Sequence, residues 1–249
     1  MKSIKFQLPY LLASMANVVL PAHSSVTQIS SEIIEVERKF EINKPELIHI
    51  FVADFEFKGE KRDIDIYYDT PTGDLYKKGI FLRKRNEAKF EFKFNMDDFS
   101  QQSATGEHSS CSEFSFSLPL NETKIESINS VLNFLGMDTI SAASIEHLLE
   151  SNNLVEFVVI NKNRKTYLTP ENYTVCIDDV DTLGQFIEIE RLAMPGDDIN
   201  LILRQIDEIY GASQESKHIT VGYVELYLRK YNFDLYKSGK YILPEDISI

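Results

Sequence analysis

Short segments in which charged and apolar residues alternate recur along this chain, and they limit the folds open to it. The first such segment reads Glu35-Val36-Glu37-Arg-Lys39-Phe40. Successive side chains of a β-strand point to opposite faces of the sheet. Glu35, Glu37 and Lys39 therefore share one face, whereas Val36 and Phe40 share the other. Taken alone, this spacing is more typical of a solvated strand edge with alternating charge than of a site.

The same property recurs in four later segments, each of which places two charged residues on one strand face. The pairs are Arg83 and Arg85, Glu91 and Lys93, Lys162 and Arg164, and Glu188 and Glu190. The opposite face is strongly apolar in several of them, as at Phe90, Phe92 and Phe94. A strand with one apolar face normally carries polar residues only where it meets water. Ordered charge of both signs on five strands therefore predicts a polar interior, as in a β-barrel whose lumen holds a ligand.

The composition narrows the classes of function further. The formal net charge is −13, which argues against general nucleic-acid binding. The chain has no glycine-rich phosphate loop and no H-E-x-x-H zinc motif, and Cys111 and Cys176 lack a metal or redox spacing. The acidic residues on the charged strand faces could offer a metal ion only carboxylate oxygens, and such ligands favour Mg²⁺ or Mn²⁺ over zinc. Any phosphate must then be recognised by arginine and lysine side chains.

In their order along the chain, these segments resemble the CYTH superfamily, the triphosphate tunnel metalloenzymes. The resemblance rests on Glu35-Val-Glu37-Arg-Lys39-Phe40, Asp65-Ile-Tyr-Tyr-Asp69-Thr70, Leu82-Arg83-Lys-Arg85, Phe90-Glu91-Phe-Lys93, Arg164, and Asp178-Asp-Val-Asp-Thr-Leu183-Gly184-Gln-Phe186-Ile-Glu188-Ile-Glu190. It covers roughly residues 33 to 232. The wording of the first two fragments is most similar to that of thiamine triphosphatases.

The resemblance and the alternating charge together predict an α+β fold. We expect an antiparallel eight-stranded β-barrel or tunnel with a polar, charged lumen and surrounding helices, formed by one domain over residues 32–240. Residues 1–31 are expected to be an N-terminal extension, either a weak signal or targeting segment or a disordered one. Nucleoside and thiamine triphosphates, the substrates of interest in this superfamily, are intracellular metabolites, and this predicts a cytoplasmic location for the protein. Export or an organelle is the alternative if residues 1–24 are a cleaved targeting peptide.

The activity that the resemblance implies is hydrolysis of a triphosphate by metal-activated water. Thiamine triphosphate, cleaved to thiamine diphosphate and phosphate, is the first candidate substrate. Two alternatives stay open: a class IV adenylyl cyclase, which converts ATP to cAMP and pyrophosphate, and a non-catalytic domain that binds polyphosphate or nucleotide. The expected partner is thus a small-molecule triphosphate, with neither nucleic acid nor a membrane, and the oligomeric state is left open.

The resemblance also implies roles for individual residues. The implied ligands of Mg²⁺ or Mn²⁺ are Glu35, Glu37, Asp178, Glu188 and Glu190. The implied phosphate ligands are Lys39, Arg83, Arg85, Lys93 and Arg164, and the implied catalytic residues are Glu35, Glu37, Lys39 and Lys93. The strand phase also points Glu91 and Lys162 into the lumen. Glu91 could either orient Lys93 or Arg83 or bind the metal, and the sequence does not decide between these roles. Family members often carry a lysine where this chain has Val221, a role for which Lys217 is the candidate replacement.

Overall fold

The computed structural model describes residues 34–95, 110–194, 196–211 and 218–247. These residues form a nine-stranded antiparallel sheet, with helices on its outside and at one end of its interior. The predicted extension at residues 1–31 and the candidate Lys217 lie outside the described residues. None of the described helices is long and apolar enough to cross a membrane.

Strands form where β-branched and aromatic residues alternate with polar ones, because such side chains pack well on a pleated surface. The strand bounds are β1 Ile34–Glu41, β2 Glu56–Asp69, β3 Phe81–Arg85, β4 Lys89–Phe94, β5 Ser110–Ser117, β6 Val155–Leu168, β7 Thr174–Val180, β8 Gly184–Ala193 and β9 His218–Ile219. All five segments with paired charges fall within these strands, so the predicted strand phase can be compared directly with the structure.

Eight of the strands close into a ring in the order β1-β8-β7-β6-β2-β3-β4-β5, and β5 pairs back onto β1. One edge of β1 is shared, since Glu35 and Val36 pair with β5 whereas Lys39 and Phe40 pair with β9. The predicted α+β antiparallel barrel is confirmed, but the sheet has a ninth strand in addition to the eight of the ring. With only two residues, β9 is too short to show alternation, and the sequence therefore did not predict it.

Several helices cover the outside of the ring, and α6 packs at one end of its interior. The helices are α1 Ile48–Phe51, α2 Asp74–Lys77, α3 Ile125–Phe134, α4 Ile145–Ser151, α5 Ile199–Tyr210, α6 Tyr223–Tyr231 and α7 Phe233–Lys237. One outer cluster joins α3 and α4 to β3 and β4, where Leu82, Phe90 and Phe92 are fully buried. A second joins α5 to β1, β7 and β8, with Ile202 in the same cluster as Val36. Because these outer faces are apolar, the inner faces of the same strands are the ones left to carry charge.

A third apolar cluster fills one end of the interior. Phe81, Ile160 and Phe186 are in inward phase on their strands and belong to one cluster with Tyr223 and Leu228 of α6. The ring centroids of Phe186 and Tyr223 are 5.2 Å apart. The interior is therefore apolar at the end where α6 packs and charged along the rest of its length.

Candidate active site

The charged part of the interior is a cavity of about 300 Å³. Its wall includes most of the residues that the strand phase placed inward: Glu35, Glu37, Lys39, Arg83, Arg85, Lys93, Lys162, Arg164, Glu188 and Glu190. Glu91 and Asp178 are buried behind this wall, where they contact its arginines. The structure thus brings the described residues with a predicted site role together, either on the wall of this cavity or directly behind it.

Three carboxylates meet where β1 pairs with β8. Glu37 lies directly opposite Glu190 in the register, and Glu35 shares the face of Glu37 two residues earlier. Oxygen atoms of the three side chains all lie within 4.8 Å of one another, a spacing that could hold a metal ion. We call Glu35, Glu37 and Glu190 the three-carboxylate group. Lys93 of β4 is its near cation, with Nζ 3.8 Å from Oε2 of Glu35 and 3.8 Å from Oε1 of Glu37.

The charge in this group is only partly compensated. Burial raises the pKa of Glu35, and the nearby Lys93 offsets only part of that effect. Burial, followed by the charge of Glu35, raises the pKa of Glu190 well above its ordinary value. Carboxylates packed this closely do not all ionise without a cation to separate them. The negative charge of the three-carboxylate group is therefore incompletely compensated, and a bound cation would stabilise it.

Asp178 and Glu188, the other two predicted metal ligands, lie among cations. Asp178 is opposite Arg164 in the register and accepts hydrogen bonds from its Nε and Nη2, both at 2.6 Å. Lys162 donates to the same carboxylate at 2.9 Å. Glu188 contacts Arg164 and lies 3.3 Å from Nζ of Lys39. Burial alone would raise the pKa of Glu188, but Arg164, Lys39 and Lys162 together hold it well below its ordinary value.

A second acid–arginine contact joins β2 to β3. Asp65 lies opposite Arg85 and accepts from Nε and Nη2, both at 2.6 Å. Arg83 donates from Nε to Glu91 at 2.7 Å and lies 3.6 Å from Asp65. Burial would raise the pKa of Asp65, but the hydrogen bonds from Arg85 and the charge of Arg83 lower it. We call Arg83, Arg85 and Arg164 the arginine wall, since each lines the cavity and is held by a carboxylate.

The residues that line the cavity without a role predicted from the sequence include Asp65, Tyr67, Glu113 and Tyr223. Asp65 and Tyr67 are two residues apart on β2 and therefore point to the same face of the strand. The alternation that placed the arginines inward could have placed these two side chains inward as well. Glu113 lies on β5, which carries no pair of charges at alternate positions. Tyr223 comes from a helix, to which strand phase does not apply.

Tyr223 fixes the floor of the cavity. Its hydroxyl donates to Oδ2 of Asp178 at 2.8 Å, and the ammonium of Lys39 lies 4.2 Å from its ring centroid. Lys39 also donates to the backbone carbonyl of Val221 at 3.4 Å. Val221, where the resemblance implied a lysine, therefore contributes a carbonyl oxygen that helps to hold Lys39. The candidate replacement, Lys217, stays a prediction because it is outside the described residues.

The CYTH domain family model matches residues 33–221, which is well over half of the 249 residues. This chain belongs to the CYTH family. In this CYTH protein the match spans the eight strands of the ring and also β9. No curated protein sequence matches the chain significantly.

Several solved structures are similar to this chain. The PH1819 protein from Pyrococcus horikoshii OT3 is 23% identical, and the match covers 79% of this chain and 99% of that protein with a TM-score of 0.53. The PH1012 protein of the same organism is 21% identical over 77% of this chain and 98% of its own, with a TM-score of 0.48. HpAC1 from Hippeastrum, described as an adenylyl cyclase candidate with a dominant triphosphatase activity, is 16% identical over 86% of this chain and 99% of its own, with a TM-score of 0.47. The first of these supports the fold and specifies no substrate.

Proposed function

We propose that this CYTH protein hydrolyses a triphosphate with the help of a divalent cation. One observation carries the proposal: three carboxylates, with oxygen atoms within 4.8 Å of one another, line the same cavity as the arginine wall. Clustered carboxylate oxygens suit Mg²⁺ or Mn²⁺, and guanidinium groups match phosphate oxygens in geometry and charge. A chain of three phosphates together with its cation complements both parts of the cavity at once.

The residues present fit such a cation. Glu35, Glu37 and Glu190 would hold it, which would relieve the repulsion that helps to raise the pKa of Glu35 and of Glu190. A cation bound there supplies Lewis acidity to a phosphate oxygen and to the attacking water.

The arginine side is prearranged for phosphate. Asp65 and Asp178 each accept two bonds, from Nε and Nη2 of Arg85 and Arg164 respectively. Nη1 of each arginine takes no part in that pair, and both arginines line the cavity. Donors fixed in advance stabilise charge on the transferred phosphoryl group without reorganisation during the reaction. In this proposal Asp178 and Glu188 serve the arginine side rather than the cation directly.

Water is the nucleophile in this proposal. Cys176 is the one described cysteine side chain, and it lies on β7 two residues before Asp178. Burial raises the pKa of its thiol to about 12, so it stays protonated at neutral pH and is a poor nucleophile. Lys39 and Lys93 are left to stabilise negative charge on the phosphates.

The substrate that we propose first is thiamine triphosphate. It is supported by the wording of two fragments, Val36-Glu37-Arg38-Lys39-Phe40 and Asp65-Ile-Tyr-Tyr-Asp69-Thr70, which is most similar to thiamine triphosphatases. We place the reaction in the cytoplasm, because such organic triphosphates are intracellular metabolites.

The test is a parallel assay of thiamine triphosphate, ATP and inorganic tripolyphosphate, with phosphate, pyrophosphate and cAMP as readouts. We expect phosphate release that requires Mg²⁺ or Mn²⁺ and is fastest with thiamine triphosphate. Turnover that persists undiminished in EDTA would overturn the metal-dependent mechanism. Formation of cAMP and pyrophosphate from ATP would instead assign the cyclase, and binding without turnover of any of the three would assign the non-catalytic domain.

A further inference from the structure

Lys93 occupies an unusual position among the lysines of the cavity. Its ammonium lies 3.8 Å from one oxygen of Glu35 and 3.8 Å from one oxygen of Glu37, so it sits between two of the three clustered carboxylates. Both distances exceed those of N–H···O hydrogen bonds, which are usually about 2.7–3.2 Å. At these two carboxylates the ammonium is therefore placed by charge and not by short directional bonds.

The other two lysines of the cavity contact groups outside the three-carboxylate group. Lys39 contacts Glu188 at 3.3 Å, the carbonyl of Val221 at 3.4 Å and the ring of Tyr223 at 4.2 Å. Lys162 donates to a fully buried aspartate at 2.9 Å. The side chain of Lys93 is 21% exposed, against 9% for Lys39 and 4% for Lys162. Of the three side chains, that of Lys93 is the most exposed.

We propose that Lys93 is the internal counter-cation of the metal-free site, that a divalent cation displaces it, and that the displaced ammonium then binds the phosphates. This inference rests on the proposed function, since it concerns the order in which the same cavity takes up cation and triphosphate. A divalent cation among Glu35, Glu37 and Glu190 neutralises the charge that holds Lys93 and repels its ammonium. The flexible four-carbon stem of lysine lets the charge move without a backbone change.

The consequence is a coupling between the two ligands. Without the cation, Lys93 is engaged by carboxylates and contributes little to a bound triphosphate. With the cation, the same lysine adds its charge to the phosphate side. Cation binding thereby strengthens triphosphate binding through a protein residue, in addition to any direct contact between cation and phosphate.

The first experiment is Mn²⁺ titration of the metal-free full-length protein by calorimetry, comparing wild type, Lys93→Met and Lys39→Met at one ionic strength. Both variants remove one lysine of the cavity, so long-range charge changes equally. We expect Lys93→Met to bind Mn²⁺ about tenfold more tightly than wild type, because no internal cation competes. Lys39→Met, whose partner is Glu188, should change the affinity less than about threefold. Equal changes in the two variants, or none in Lys93→Met, would overturn the inference.

The second experiment follows the lysine itself. The wild-type protein is treated briefly with an acetylating reagent, with and without Mn²⁺, and the acetylation of each lysine is read by mass spectrometry. Displacement predicts that Mn²⁺ increases acetylation of Lys93 and leaves Lys39 unchanged, whereas unchanged Lys93 reactivity contradicts it. Neither readout needs turnover. Absence of Mn²⁺ binding by wild type would overturn the metal site of the proposed function and this inference with it, whereas absence of hydrolysis alone would leave the inference standing.

Discussion

The two sides of the cavity use the same residue types to opposite effect. Where β1 pairs with β8, a carboxylate faces a carboxylate, as Glu37 faces Glu190. Where β6 pairs with β7, and where β2 pairs with β3, a carboxylate faces an arginine, as Asp178 faces Arg164. The cross-strand partner, and not the acid itself, therefore decides whether an acid is available for a metal cation or holds a side chain in place.

This difference has an energetic counterpart. An acid of the three-carboxylate group is crowded by like charge, so neutralising it in the metal-free protein relieves repulsion. An acid of the arginine wall compensates buried cations, so removing it leaves those cations unpaired in a site of low dielectric. The two sides should therefore respond to substitution in opposite ways.

The largest effect is expected for turnover on removal of one metal-side carboxylate. Glu190→Gln should lower kcat/KM at least about a thousandfold, since Lewis-acid stabilisation by the bound cation contributes several kcal/mol. The measurement is phosphate release from the best triphosphate at saturating Mg²⁺. Glu41→Gln is the control, because Glu41 shares the strand phase of Glu37 but is exposed. Comparable losses in both variants would contradict a special role for the group.

The next effect concerns the stability of the metal-free protein. Asp178→Asn should lower the free energy of unfolding by about 3–5 kcal/mol, because it breaks the ion pairs that a fully buried carboxylate makes with Arg164 and Lys162. Glu190→Gln, measured in the same buffer with EDTA, should leave stability unchanged or raise it. Denaturant unfolding gives both values. A large loss for Glu190→Gln would mean that its carboxylate is a structural ion-pair partner, which would erase the contrast.

A third prediction tests the phosphate side with two neighbours of equal charge. Arg85 lines the cavity, whereas Lys84 faces outward and pairs with Glu87. Arg85→Ala should cost about 2–4 kcal/mol of transition-state stabilisation, and Lys84→Ala about 0–1 kcal/mol. The comparison is kcat/KM of both variants at one salt concentration, on samples checked for folding. Equal deficits would indicate long-range charge rather than direct contact.

The smallest effect is a pH dependence of stability. The pKa of Glu190 is raised in the folded protein above its ordinary 4.5. A carboxyl of this kind favours folding fully below about pH 4.5 and loses that contribution as the pH rises through the folded value. The melting temperature of metal-free wild type should therefore match that of Glu190→Gln near pH 4.5 and fall progressively below it toward pH 8. A difference in melting temperature between the two proteins that stays constant with pH would contradict the repulsion among the three carboxylates.

Much of this cavity could be predicted from the sequence, because strand phase is a local property. The inward positions of Glu35, Arg83 and Glu188 follow from alternation alone, once the outer faces are recognised as apolar. Alternation within a strand does not, however, predict the register between neighbouring strands. Whether Asp178 faces an arginine or another acid depends on which residue lies across the strand, and this is set by strands distant in sequence.

Other parts of the cavity were missed for different physical reasons. Two-residue β9 is held by its pairing with β1 and has no periodicity of its own. Tyr223 enters the cavity from a helix that plugs one end of the ring, a tertiary arrangement that alternation cannot express. Lys39 contacts the backbone carbonyl of Val221, a group that almost any residue would offer, so the identity of residue 221 does not predict this contact.

The most direct test of the contrast is the Mg²⁺ affinity of the metal-free protein and two variants, measured by calorimetry at a temperature at which all three are folded. If the cation belongs to the three-carboxylate group, Glu190→Gln weakens Mg²⁺ binding about a hundredfold or more, as expected when a charged ligand is lost. Asp178→Asn then retains binding within about threefold, because Asp178 holds Arg164. The reverse order, with Asp178→Asn abolishing Mg²⁺ binding and Glu190→Gln preserving it, would contradict the division of the cavity into a metal side and a phosphate side.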